Sequence, residues 1–229
     1  MKVLFIISNS ETAFWLSEVT HPYWHLTERG VAVDFASPKG GKVLYDPYSD
    51  PYFKDSTEPD DLVSKGFLSD KNLVAKLDTT LKLSEVDLND YDAVHVAGGR
   101  GATFDLYPSK EVGDALEHFW AKGQVVGAIC HGAIALGNIP DRIRGRHTTG
   151  YTLEGDQELQ KMFGSGFVIP HYPQTVLEEA GSAYARVGAN DPYVIRDGKL
   201  LTGQNQQSAS EYALVLLHMM TGQSPVAAS

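Results

Sequence analysis

The chain has 229 residues, 42% hydrophobic and 21% charged, with a formal net charge of −10. That is the composition of a globular protein with a sizeable buried core, and the acidic balance argues against nucleic acid and anionic membranes as partners. One cysteine excludes an internal disulfide and a multi-thiolate zinc site, and points to a reducing, cytoplasmic setting.

In chain order, KVLFII (Lys2 to Ile7) is a continuous apolar run, the pattern of a strand buried on both faces of a parallel sheet. It is too short for a signal peptide or a bilayer span, and no small-residue cleavage site follows it. LSEVTHPYWHLTERG predicts a helix over its later part, ending at Gly30, with Pro22 in the first turn and Glu18 in or just before the turn entering it. VAVDFAS (Val31 to Ser37) completes a strand–helix–strand unit. From about residue 38 to 90 the pattern loosens into a Pro-, Asp- and Tyr-rich surface excursion with one or two short helices. DAVHVAGG (Asp92 to Gly99) is a third strand ending in a glycine turn, and SKEVGDALEHFWAKG is a helix stopped by Gly123. QVVGAI (Gln124 to Ile129) is a fourth strand, and another helix starts within GAIALGNI. GDQELQKMF and YPQTVLEEAG predict two more helices. YVIRDGKLLTGQ predicts a hairpin turning at Asp197-Gly198, and SASEYALVLLHMMTG a buried closing helix with a Ser208/Glu211 capping box. Strands alternate with helices throughout, without repeat or linker, so the expectation is a single α/β domain over 1–229 with a mostly parallel sheet.

Ligands of such sheets sit beyond the strand carboxyl ends, and the candidate chemistry falls there. Cys130 stands where the fourth strand turns into the next segment, inside A-x-C-x-G, the nucleophile-elbow pattern with alanine for one glycine. A helix N-terminus beyond it is expected to lower the thiol pKa. His131 follows as a candidate acid or base, and its N–H stands where an oxyanion donor should. Gly98 and Gly99 in AGGRG supply a facing turn able to aim an N–H at a substrate oxygen. Glu18 is a carboxylate whose pKa would rise if buried near the thiol.

AICHGAIAL, VAGGRGATFDLYPSKE and WLSEVTHPYWHLTERGVAVDFASPKGG resemble the ThiJ/PfpI superfamily along nearly the whole chain. The resemblance implies the fold of class I glutamine amidotransferases: a flavodoxin-like three-layer sandwich with helices on both faces of the sheet and a nucleophile elbow. E-x-x-HP at Glu18, His21 and Pro22, together with the excursion, resembles the branch holding glutathione-independent glyoxalase III and stress-inducible heat-shock chaperones. It implies Cys130 as nucleophile, His131 beside it and Glu18 contacting the thiol. Aligning TGYTLEGDQE makes Asp156 the third member of a Cys-His-acid arrangement, with Glu154 as fallback; Gly99 and the N–H at Arg100 complete the oxyanion site. Two positions depart from the branch: Arg100 stands where histidine is common, and proline is usual near Gln206.

The leading expectation is a cofactor-free, metal-free glyoxalase acting on methylglyoxal and related 2-oxoaldehydes through a Cys130 hemithioacetal. The resemblance implies a homodimer. A cysteine amidase, peptidase or deglycase uses the same nucleophile and donors, so the residues leave it open. A non-enzymatic redox sensor or holdase is the third reading.

Overall fold

The computed structural model describes residues 1–164 and 166–222. The N-terminal apolar run forms β1 (Lys2–Ile6), followed by α1 (Ser17–Thr27) and β2 (Ala32–Ser37). The excursion holds α2 (Leu62–Ser69), α3 (Lys71–Asp78) and a two-residue strand, β3 (Leu81–Lys82). Next come β4 (Ala93–Val96), α4 (Ala102–Asp105), α5 (Lys110–Ala121) and β5 (Val125–Ile129). After the elbow lie α6 (Pro140–Ile143), β6 (His147–Thr148), α7 (Leu153–Phe163), α8 (Pro173–Glu179) and β7 (Ala183–Tyr184). The hairpin strands β8 (Val194–Asp197) and β9 (Leu200–Gly203) and helix α9 (Ala209–Thr221) follow.

The main sheet runs β3-β2-β1-β4-β5-β9-β8, parallel except for β8; β6 and β7 pair separately. This is a flavodoxin-like α/β arrangement. Alternation along β1 divides its side chains between two cores. Val3 and Phe5 pack with Val19 and Leu26 of α1, Phe67 of α2 and Leu216 of α9. Leu4 and Ile6 pack with Leu116 and Phe119 of α5 and Leu177 of α8. Each such fully buried side chain contributes about 1.5–3 kcal/mol. Chain order reverses direction between β1 and β4, so the loops after these strands diverge and open the crevice where α/β sheets bind ligands.

Three expectations are corrected. Helix α1 begins at Ser17, so Pro22 lies inside it rather than in its first turn. A mid-helix proline has no N–H for the carbonyl four residues back. Here that carbonyl belongs to Glu18, and Nε2 of buried His95, 2.9 Å away, supplies the missing donor. His95 Nδ1 then accepts from the Tyr212 hydroxyl at 2.9 Å, and burial drops the imidazole pKa to about 4, keeping it neutral. The helix expected after Cys130 is instead a 3₁₀ segment, Cys130–Asn138. The Ser208/Glu211 capping box does not form: Ser208 Oγ donates to Asn205 Oδ1 at 2.8 Å and accepts from Tyr193 N–H at 2.9 Å.

The excursion packs over the loop after β1. Leu16 N–H donates to Ser49 Oγ, Trp15 Nε1 donates to Glu58 Oε2 at 3.0 Å, and the Tyr48 ring meets Phe163 of α7 at 5.5 Å. It therefore links the start of α1, which carries Glu18, to the helix carrying Asp156.

Candidate active site

Cys130 closes β5 with φ +56°, a left-handed conformation that costs a non-glycine residue on the order of 1–3 kcal/mol. The neighbouring backbone leaves no slack. A Cβ on Gly132 would stand 2.6 Å from Val96 O, so only glycine lets the elbow press against the end of β4. The side chain is enclosed: Cys130 is 3% exposed, His131 4%, and Glu18 and Asp156 are fully buried.

Glu18 lies beside the thiol because the chain entering α1 packs on the turn after β4, where Trp15 N–H donates to Gly98 O at 3.2 Å, and that turn abuts the elbow. Its Oε2 accepts from Gly98 N–H at 2.7 Å; Oε1 is buried without a hydrogen-bond partner, and the carboxyl also interacts with Cys130 and feels the charge of Glu58. Burial pushes the carboxyl up to about 8, against the opposing pull of its hydrogen bonds with Cys130 and Gly98. The turn itself is equally tight. Gly99 has φ +88°, and a Cβ there would stand 2.4 Å from Trp15 N.

The thiol pKa is raised, not lowered as the sequence suggested. Burial is the main cause, and the Glu18 carboxylate adds to it; backbone hydrogen bonds from His131 and Gly99 pull the other way. The short 3₁₀ segment and the sealed position explain the reversal, since desolvation outweighs the few donors at the elbow. At neutral pH the pair therefore rests with its protons on, and the sulfur needs a base before it can react.

That base is adjacent. His131 Nδ1 is 3.5 Å from Cys130 Sγ, and Nε2 is 2.8 Å from Asp156 Oδ1. Asp156 sits in the first turn of α7, fixed there by the Thr152 side chain, which accepts from Gly155 N–H. Its carboxylate places the imidazole proton on Nε2 and leaves Nδ1 facing the sulfur. The Tyr151 ring stacks on His131 at 4.3 Å, and Tyr151 N–H donates to Cys130 O at 3.1 Å. Glu154 turns outward to Arg186 at 2.8 Å.

The N–H groups meeting the sulfur are those of Gly99 and His131. The Arg100 side chain instead lies over the Phe167 ring at 4.2 Å and donates to Val168 O at 3.4 Å. Two residues of this region carry no local sequence signal, Tyr151 and Glu58, and a third, His95, carries almost none. Glu58 holds Trp15 and Ser17, the residue before Glu18, and burial raises its pKa to about 7. For His95 the only trace is one polar residue in an apolar strand. Among the described residues, no group of three or more His, Cys, Asp or Glu side chains could hold a metal ion, and no helix is long and apolar enough to cross a membrane.

Comparison with known proteins gives the chain a family. The model of the DJ-1/PfpI family matches residues 1–219. The glutathione-independent glyoxalase HSP31 of Saccharomyces cerevisiae is 30% identical over 223 residues, covering 92% of this chain and 90% of the relative. Glyoxalase 3 of Candida albicans is 28% identical, covering 91% and 90%. Among solved structures, the Rapid Encystment Protein 24 kDa of Francisella tularensis superposes with a TM-score of 0.84 at 30% identity, covering 96% of this chain and 98% of that one. Glyoxalase III of Candida albicans does so with 0.80 at 26% identity, covering 97% and 98%. The chain belongs to the DJ-1/PfpI family.

Proposed function

We propose that this DJ-1/PfpI protein is a glutathione-independent glyoxalase that converts methylglyoxal and related 2-oxoaldehydes to 2-hydroxy acids, with no cofactor. The observation that carries the reading is the Glu18 carboxyl beside Cys130, held protonated to about pH 8. Moving a proton between adjacent carbons needs one group that serves as acid and then base near neutral pH, and a surface carboxylate does not meet that need. The names of the relatives point to the same chemistry.

In the proposed sequence, Cys130 Sγ adds to the aldehyde carbon as its proton passes to His131 Nδ1, with Asp156 stabilising the imidazolium. Glu18 protonates the former aldehyde oxygen, giving a neutral hemithioacetal and a carboxylate. That carboxylate removes the proton from the sulfur-bearing carbon and returns it to the neighbouring carbon through an enediol. In the enediol the hydroxyl proton passes from the oxygen of the sulfur-bearing carbon to the former ketone oxygen, leaving a thioester. Water adds to the thioester carbonyl and the carbon–sulfur bond breaks as His131 returns its proton to sulfur; the proton released by the water restores the Glu18 carboxyl, and D-lactate leaves. The N–H groups of Gly99 and His131 face the oxygen that develops charge, which is where preorganised donors act most strongly. Arg100, next to Gly99, is proposed as a residue of the substrate pocket. The enclosure of Cys130 favours a small dicarbonyl over a peptide chain.

The proposed protein is a cytoplasmic homodimer. Sedimentation at micromolar concentration tests the assembly, and a monomer there contradicts it. The activity is tested by D-lactate formation from methylglyoxal without glutathione or metal, for wild type beside Cys130→Ala. Turnover in wild type alone supports the reading. No turnover by wild type refutes it, and equal turnover by both removes Cys130 from the mechanism. Suppression of client aggregation that survives Cys130→Ala would mark a holdase.

A further inference from the structure

Away from the elbow, a surface cavity of about 420 Å³ is lined by residues that include His21, Glu58, Asp61, Gln206, Gln207 and Ser210. Three of them form a connected relay. His21 Nδ1 is 2.7 Å from Ser210 Oγ, and His21 Nε2 is 3.0 Å from Asp61 Oδ1. Asp61 caps α2, where its Oδ1 also accepts from Val63 N–H at 2.9 Å and Ser64 N–H at 3.1 Å. Burial alone would raise its pKa, but the hydrogen bonds from His21 and Ser64 and the nearby imidazole hold the carboxylate down at about 2. An acceptor at Nε2 fixes the ring proton there and leaves Nδ1 to accept from the serine hydroxyl. This is the wiring of Cys130, His131 and Asp156, nitrogen for nitrogen.

The cavity also offers donors for an oxyanion. The side-chain amides of Gln206 and Gln207 line it and make no hydrogen bond to protein among the described residues. Ser210 is the second residue of the thirteen-residue α9, which continues from a 3₁₀ turn over Gln206–Ser208. Glu58 and Asp60 on the same wall disfavour an anionic ligand.

We propose that Ser210, His21 and Asp61 form a second, acyl-transfer site that hydrolyses short carboxylic esters of neutral or cationic character. Ser210 Oγ adds to the ester carbonyl carbon while its proton passes to His21 Nδ1. The carbonyl carbon–alkoxy bond then breaks, and His21 delivers that proton to the departing alcohol. Water attacks the Ser210 acyl ester by the same route, releasing the carboxylic acid and restoring the hydroxyl. Asp61 stabilises the imidazolium in both halves. No oxidant or cofactor enters. The site does not depend on the dicarbonyl activity.

The test uses the full chain carrying Cys130→Ala, so that the elbow thiol cannot contribute. Hydrolysis of p-nitrophenyl acetate and labelling by a fluorophosphonate, mapped by peptide mass, are compared with and without Ser210→Ala. The expected result is an adduct on Ser210 and at least about a tenfold loss of hydrolysis in the alanine variant, given the 10²–10⁴ typical of a positioned base. No adduct at Ser210, or equal hydrolysis by both proteins, overturns the proposal. Ser210→Cys in the same background gives a second readout that does not depend on ester choice. Its thiol is expected to be alkylated at pH 7 about tenfold faster than a free thiol, and to slow when Asp61→Asn is added. Alkylation at the free-thiol rate overturns the proposal as well.

Discussion

Two histidine relays in this chain share one wiring and differ in everything around it. In both, Nδ1 meets the hydroxyl or thiol and Nε2 meets an aspartate at the start of a helix. The Ser210 relay lines an open cavity on unstrained helix backbone. The Cys130 relay is sealed at a left-handed elbow and has a fourth member, the protonated carboxyl of Glu18. The difference teaches that a nucleophile and its base do not by themselves specify a reaction. The proposed dicarbonyl chemistry needs a group that moves a proton between carbons; Glu18 keeps one oxygen without a hydrogen-bond partner beside the thiol, whereas both oxygens of Glu58 in the second cavity are held by Trp15 and Ser17.

The comparison is sharpest when the elbow is given the other relay's nucleophile. Cys130→Ser is expected to lose dicarbonyl turnover by at least about 10³, because the hydroxyl is a far weaker nucleophile at its ordinary pKa. Measurable D-lactate within tenfold of wild type breaks the distinction drawn between thiol and hydroxyl. Next comes the base. His131→Ala is expected to reduce turnover by about 10²–10⁴, and Asp156→Asn by less, through the wrong ring tautomer. Iodoacetamide rates at Cys130 should fall in the same order, and unchanged rates would detach the relay from the thiol.

Glu18 then carries a stability cost, with its sign fixed by its raised pKa. The unfolded chain releases this proton near pH 4.5, while the folded chain holds it to about 8. Between those values the unfolded state binds fewer protons, so stability falls as pH rises. Glu18→Gln removes that loss and is expected to gain about 3–5 kcal/mol relative to wild type at pH 8, and almost nothing near pH 4.5. Thermal melts at the two pH values read the difference, and a gap that does not grow with pH contradicts the buried protonated carboxyl. The smallest effect concerns the scaffold beneath. His95→Leu leaves the Glu18 carbonyl and the Tyr212 hydroxyl without their partner and is expected to cost about 1–3 kcal/mol in urea unfolding. A neutral outcome would mean that the proline in α1 needs no such donor.

Much of this layout is legible in the sequence because it is local. The apolar runs of β1, β2, β4 and β5 mark strands buried on two faces, and Asp197-Gly198 marks the hairpin. The strands β3, β6 and β7 are not legible; each is two residues long and exists only through its partner. Cys130 and His131 announce themselves by the elbow pattern, whereas Asp156 is suggested only by family resemblance. Tyr151, Glu58, His95 and the Ser210 relay come together across gaps of twenty to nearly two hundred residues, which no spacing rule reports. The thiol pKa went the other way for the same reason. A helix start is visible in a sequence, but the desolvation that opposes it is a property of the folded chain.

The central claim rests on Glu18, and one measurement addresses it directly: the rate of D-lactate formation from methylglyoxal at pH 7 for wild type and Glu18→Gln, with Cys130 alkylation followed in parallel. The account predicts that the variant loses turnover by about 10² or more while its thiol is still alkylated, because addition to the aldehyde survives and proton transfer between carbons does not. Turnover by Glu18→Gln at the wild-type rate would contradict it.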